Sequence, residues 1–195
     1  MSAFATIRRV NRTTRPEGSV VLRAAVLGTV MLAVAGTWAS GAATAGDALA
    51  ALVLLPVGAW VSYRRREDDN LLIKLAITVG AGLALARFFG DVRIAATIDD
   101  TRSPLTALFL AVQVLHGFDL PQRRDLGFTL ASSLTLVALA GVSTHAGAFG
   151  VLLVAYAALA AVAMAGLQRS AARQRADEIQ AEDDRARFSG GDPEH

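Results

Sequence analysis

The polar side chains best placed for chemistry lie in one stretch, residues 113–125. Gln113 and His116 are three residues apart, so on a helix they share a face. Inside a membrane both must point into the protein or to the interface, because lipid cannot satisfy them. The stretch is interpreted as a rigid helical hairpin, with an intramembrane proton relay or a docking surface as alternatives. Its candidate residues are Gln113, His116, Asp119, Arg123, Arg124 and Asp125.

A second polar patch, residues 98–104, precedes the same apolar run. Asp99 or Asp100 is expected to cap the helix that follows, with Pro104 in its first turn. Arg102 can pair with either aspartate. The patch is therefore interpreted as a capped and charge-balanced loop, with contact to a substrate or a lipid headgroup as the alternative.

The sequence shows no cluster of metal ligands and no nucleophile with its catalytic partners. The chain has three histidines and no cysteine, which excludes disulfides, cysteine-bound metals and a thiol nucleophile. Asp119 follows His116 by three residues but is expected in a turn, so the pair does not make a helical metal site. No Ser-His-Asp set can be assigned. We predict no catalytic residue, no metal, no cofactor and no nucleic-acid partner.

The elements that position these residues are long apolar runs. The 195 residues are 53% hydrophobic and 18% charged, with a mean hydropathy of +0.44. Runs near 20 residues match a bilayer core about 30 Å thick. The predicted fold class is therefore all-α, a polytopic membrane protein with a six-helix transmembrane bundle. The predicted spans are Val20–Trp38, Ala48–Tyr63, Leu71–Phe89, Pro104–Phe118, Leu126–Gly141 and Ala148–Leu167.

The positive residues indicate the orientation of these spans. Of 19 Lys and Arg, 14 fall on one side of a six-span chain and three on the other, which places both termini in the cytoplasm. The same bias indicates that the short fourth run crosses, since otherwise Arg123, Arg124 and the basic tail would face outward. Arg23 and Lys74 lie just inside their spans and are expected to snorkel outward. The three positive residues on the other side of the membrane are Arg87, Arg93 and Arg102.

The chain divides into three regions by this pattern. They are a basic cytoplasmic N-terminal segment at 1–19, a six-span domain at 20–167 and a charged cytoplasmic tail at 168–195. From Gln168 to Phe188 the tail is rich in strong helix formers, with no Gly or Pro before Gly190. It is therefore expected to continue the last helix and then to become disordered.

One segment resembles a known family. Thr101 to Gly141, TRSPLTALFLAVQVLHGFDLPQRRDLGFTLASSLTLVALAG, is similar to the N-terminal membrane region of bacterial transglutaminase-like membrane proteins, most specifically in its QVLH-FDLP-RRD core. In that family a multi-span helical region precedes an extracytoplasmic domain with a Cys-His-Asp catalytic set. This chain has no cysteine and no soluble domain of enzyme size, so no catalytic residue is carried over. The resemblance implies the membrane half alone.

The predicted function is that of a non-catalytic membrane anchor or interaction module in a bacterial plasma membrane, and not of an enzyme. The resemblance implies a setting in cell-envelope or peptidoglycan maintenance, with membrane or cytoplasmic protein partners such as an AAA-type ATPase. Self-association into a homo-oligomer stays open. The alternative is a small transporter, channel or lipid-binding protein. A water-filled cavity reaching Gln113 and His116 would favour transport, whereas bonds from these groups to neighbouring helices would favour the module.

Overall fold

The computed structural model describes residues 18–65, 71–95, 97, 99–120, 123–143 and 148–189. Within these residues the chain is all-α, without a β-strand, which confirms the all-α part of the predicted fold class. The α-helices are α1 (Val20–Ala39), α2 (Ala45–Arg64), α3 (Leu71–Ile94), α4 (Arg102–Gly117), α5 (Arg123–Ser143) and α6 (Ala148–Ser189), with a 3₁₀ turn at Asp99–Thr101. Five of them, all except α4, are long and apolar enough to cross a membrane.

Several sequence predictions concern residues outside these ranges. They are the basic segment at 1–17, Arg66, the loop at 144–147 with His145, and the end of the tail from Gly190 to His195. The side chain of Arg123 is not described either. The prediction that the tail continues the last helix is confirmed as far as Ser189, because α6 runs there without a break.

Polar side chains cap the first two helices. The N–H of Leu22 donates to Ser19 Oγ at 3.3 Å at the start of α1. At the start of α2, the N–H of Asp47 donates to Thr44 Oγ1 at 3.1 Å, and the Thr44 hydroxyl donates to the Asp47 carboxylate at 2.8 Å. Gly41 makes the turn between these helices with φ +74°, a conformation that glycine adopts without strain.

The predicted cap of α4 by Asp99 or Asp100 is wrong. Thr101 precedes α4 and makes no side-chain cap bond, whereas the Asp100 carboxylate accepts from the N–H and hydroxyl of Thr97 at 3.0 and 2.8 Å. α5 begins at Arg123, so Asp125 lies within its first turn and not at the cap position. A negative charge in the first turn still stabilises the helix through its dipole.

The helices form two connected groups. α1 packs against α2, α5 and α6, and α4 packs against α2, α3 and α5. α3 makes its helix contacts with α4, and none of its residues is buried. Because α2 and α3 both lie on α4 but scarcely contact each other, a cleft separates them and α4 forms its floor.

The core joins apolar side chains from five helices. At its centre Val34 of α1, Leu55 of α2, Leu110 of α4, Leu136 of α5 and Tyr156 of α6 are buried together. A second cluster is formed by buried side chains near the start of α1, the start of α5 and the middle of α6. Its members are Leu22, Val26, Leu120, Leu126, Leu130 and Ala163.

Contacts between helix ends define one end of the bundle, which we call the hairpin end. Ser62, near the end of α2, accepts the backbone N–H of Leu120, just after α4, at 2.8 Å. Lys74, near the start of α3, lies 3.9 Å from the carboxylate of Asp119. The turn between α4 and α5 is therefore held by both α2 and α3.

The opposite end of the bundle is defined by a second ion pair. Asp47, at the start of α2, lies 3.3 Å from Arg87 near the end of α3. The start of α4, from Arg102 to Ala107, lies at this end, because Pro104 and Ala107 line a small cavity with Arg87. The 16 residues of α4 cover about 24 Å. Although short, α4 runs from one end of the bundle to the other.

Candidate functional site

Gln113 fastens α4 to α5. Its side chain is buried, with 2% of its surface exposed. Its amide donates to the carbonyl of Thr129 at 3.2 Å, and the Ser132 hydroxyl donates to its amide oxygen. Both polar atoms of the side chain are therefore bonded to the neighbouring helix, as an amide inside a membrane bundle requires.

His116 lies on the same face of α4 as Gln113, as the spacing predicts. Its Nε2 lies 3.4 Å from the carbonyl oxygen of Asp125 in the first turn of α5. Its ring meets Phe128 edge to face, with centroids 5.0 Å apart. Both predicted polar residues thus bond to α5, and neither bonds to the other. Their arrangement provides helix contacts and no relay between the two side chains.

Asp119 lies in the turn between the same two helices. Its side chain is largely buried and faces Lys74 of α3 at 3.9 Å. The next residue, Leu120, donates its N–H to Ser62 of α2. The turn is therefore a fixed element in which Asp119 makes a structural contact.

Two arginines follow this turn. Arg123 is the first residue of α5, and Arg124 beside it is exposed. The carbonyl of Asp125 accepts from the hydroxyl of Thr129 at 2.9 Å as well as from the His116 ring. Of the predicted residues described at the hairpin end, Arg124 is the one whose side chain is presented outward.

Arg102 does not belong to this cluster. It is the exposed first residue of α4, and its carbonyl accepts the hydroxyl of Thr106 at 2.9 Å. The length of α4, about 24 Å, separates it from the hairpin end. The structure therefore brings six of the seven predicted residues to one end and leaves Arg102 at the other.

Sequence reasoning missed a polar contact between α5 and α6. The hydroxyls of Ser133 and Tyr156 lie 2.8 Å apart and share a hydrogen bond, and Ser133 also donates to the carbonyl of Leu130 at 2.7 Å. The signal for this contact was Tyr156 in the otherwise apolar and uncharged last span, because a buried phenol hydroxyl needs a hydrogen-bond partner.

The expectation that Arg23 snorkels outward is wrong. Its side chain is buried at the hairpin end, and its guanidinium lies 5.7 Å from the centre of the Tyr63 ring. Such a cation–π contact stabilises a desolvated arginine. The contact joins the start of α1 to Tyr63 near the end of α2.

The described polar residues of the hairpin end make contacts between helices. Among the described residues, no group of three His, Cys, Asp or Glu side chains could hold a metal ion. A cavity of about 260 Å³ lies between α2, α3 and α4, and neither Gln113 nor His116 is part of its lining. The chain was compared with protein-family models, with curated proteins and with solved structures, and none of them matches. The similarity of Thr101 to Gly141 to the membrane region of transglutaminase-like proteins therefore stays a prediction.

Proposed function

We propose that the protein is a non-catalytic membrane interaction module that offers the hairpin end of its bundle to partner proteins. The observation that carries this proposal is the bonding of its intramembrane polar groups. Gln113 is bonded to α5 through both of its polar atoms, and Ser133 is bonded to Tyr156 of α6. These groups hold helices together, whereas a transporter would need them along a wet path.

The proposed topology has six spans with both termini in the cytoplasm of a bacterial plasma membrane. Its shortest span is α4, and the contacts of that helix at both ends of the bundle support a crossing. The charge distribution supports the orientation, because the described cations at the hairpin end outnumber those at the opposite end. The former include Arg23, Arg64, Arg65, Lys74 and Arg124, and the latter are Arg87, Arg93 and Arg102.

The long last helix supports a cytoplasmic docking role. α6 has 42 residues, which cover about 63 Å. A span takes about 20 residues, so roughly 30 Å of helix extends beyond the bilayer in this topology. This extension carries the positive residues Arg173 and Arg175, both exposed, beyond the bundle.

The setting of the module rests on the resemblance of Thr101 to Gly141. On this resemblance we propose a role in cell-envelope maintenance, with membrane or cytoplasmic proteins as partners and an AAA-type ATPase as one candidate. The partner at the hairpin end can also be a second copy of the chain, in which case the protein forms a homo-oligomer. The contacts at the hairpin end fit a fixed surface of this kind, because Ser62 and Lys74 hold the turn that carries Arg123 and Arg124.

The proposal predicts that partner capture depends on this pair of arginines. Tagged wild-type protein and an Arg123→Ala/Arg124→Ala variant are crosslinked in native membranes, purified and compared by quantitative mass spectrometry. We expect the variant to lose about tenfold or more of a specific partner, since interface arginines often carry more than 1 kcal/mol.

The matched control removes two arginines from the opposite end, Arg93 and Arg102, both of which are exposed. We expect this double alanine variant to keep the partner. A partner list that is the same in both variants, or the absence of any specific partner, would contradict the docking proposal. A differently tagged second copy, co-expressed in the same cells, shows whether the captured partner is the chain itself.

A further inference from the structure

The cleft between α2 and α3 has the shape and lining of a site for an apolar chain. Its volume is about 260 Å³, and the small side chains of Ala107 and Ala111 on the α4 floor and of Ala51 on α2 make room in it. Leu54 at its side is 41% exposed, so the cleft opens toward the surroundings of the bundle. In a bilayer those surroundings are lipid.

Charged groups stand only at one end of this cleft. Asp47 and Arg87 line it at the opposite end of the bundle, whereas Val114 and Leu115 line it toward the hairpin end. From Ala107 to Val114 the α4 floor extends for about 10 Å. The lining is therefore polar at one end and apolar along its length, which is the polarity of a lipid lying parallel to the helices.

One carboxylate and one guanidinium line the mouth of the cleft, which is the end where Asp47 and Arg87 stand. Arg87 Nη1 lies 3.3 Å from Asp47, and Arg87 Nε lies 3.7 Å from Asp91, which is not part of the lining. The Arg87 side chain is 62% exposed, and a guanidinium has five N–H donors, so it can donate to a further acceptor. The two lining charges are of opposite sign and complement a headgroup that carries both signs.

We propose that this cleft binds one phospholipid whose headgroup carries both a phosphate and a primary ammonium, as phosphatidylethanolamine does. The phosphate accepts from Arg87, and the ammonium donates to the carboxylate of Asp47. One acyl chain lies along the small residues of α4. An anionic headgroup without an ammonium brings no donor to the Asp47 carboxylate, and a quaternary ammonium has no N–H to donate.

This site is additional to the proposed docking surface and does not depend on it. It lies at the other end of the bundle from Arg124 and uses α2, α3 and α4. The proposed topology places its mouth in the outer leaflet, but binding in detergent is independent of the orientation in a membrane. Failure of the partner capture would therefore contradict the docking proposal alone, and failure of lipid binding would contradict the lipid site alone.

To test this proposal, the full chain is solubilised in detergent and mixed with equimolar phosphatidylethanolamine, phosphatidylglycerol and phosphatidylcholine, all with identical acyl chains. Native mass spectrometry counts the lipid that stays bound. We expect one phosphatidylethanolamine to be retained in preference to the other two. Arg87→Gln should weaken its binding about tenfold or more, the factor expected for one charge-assisted hydrogen bond. Arg93→Gln, an exposed position on the same helix, should bind as wild type does.

Two further variants test the cleft itself. Ala50→Phe fills the exposed rim, where folding is least disturbed, and Ala111→Phe fills the floor. Both should lose the lipid, whereas Ala131→Phe on an exposed face of α5 should retain it. Equal retention of the three lipids, preference for phosphatidylglycerol, or undiminished binding in Ala50→Phe would overturn the proposal.

Discussion

Replacing Gly58 with valine is expected to destabilise the bundle by about 3 kcal/mol, the upper part of the range for overpacked cores. A Cβ atom at this position would lie 3.1 Å from the backbone carbon of Gly117 and 3.1 Å from the Phe118 ring. A flexible side chain could turn away, but the backbone of α4 cannot, so α2 and α4 must move apart. That movement also disturbs the hydrogen bond between Ser62 and Leu120, one turn further along α2.

The matched control for this variant is Gly28→Val on α1, since a Cβ atom there meets nothing within 4 Å. We expect the control to change stability by no more than about 0.5 kcal/mol. Unfolding of both variants in mixed micelles, followed through tryptophan fluorescence, measures the difference. Equal stability of the two variants would show that α2 and α4 do not pack as described.

Ser62→Ala is expected to cost about 2 kcal/mol, because it removes the acceptor of a buried backbone N–H. The hydroxyl accepts the N–H of Leu120 at 2.8 Å, and both residues are buried. Without it the turn between α4 and α5 loses its bond to α2, and the Leu120 amide exchanges its hydrogen faster. The loss should therefore appear both in global stability and in local hydrogen exchange at this amide.

Two variants separate this effect from the loss of any hydroxyl. Ser62→Thr keeps the acceptor and should retain slow exchange at Leu120. Ser143→Ala removes a hydroxyl that donates only within α5, to the carbonyl of Leu139 at 3.1 Å, and should be close to neutral. If Ser62→Ala leaves the exchange of the Leu120 amide unchanged, the bond across helices is not what fixes the turn.

The helices themselves were predictable from the sequence, since apolar runs of span length specify them directly. All six predicted runs fall on helices, and the predicted continuation of the last one is observed up to Ser189. Their ends were less predictable. The fifth span was predicted to begin at Leu126, but α5 begins at Arg123, because helix-forming Arg123 and Arg124 extend the helix backward.

The partners of the polar side chains were only partly predictable. The shared face of Gln113 and His116 follows from local spacing, but the acceptor of Gln113 is a carbonyl 16 residues away on another helix. Ser62 and Leu120 are 58 residues apart, and nothing local connects them. The cleft was beyond sequence reasoning altogether, because it arises from two helices that share α4 and scarcely contact each other.

The proposed topology requires that the chain crosses the membrane six times, with α4 as one of the spans. Cysteines introduced one at a time test this topology, and no other residue gives a cysteine labelling signal, since the chain has no cysteine of its own. A membrane-impermeant maleimide applied to intact cells should label Ser143→Cys and should reach Ser170→Cys only after permeabilisation. If α4 does not cross, the two results are exchanged: Ser170→Cys labels from outside and Ser143→Cys stays protected.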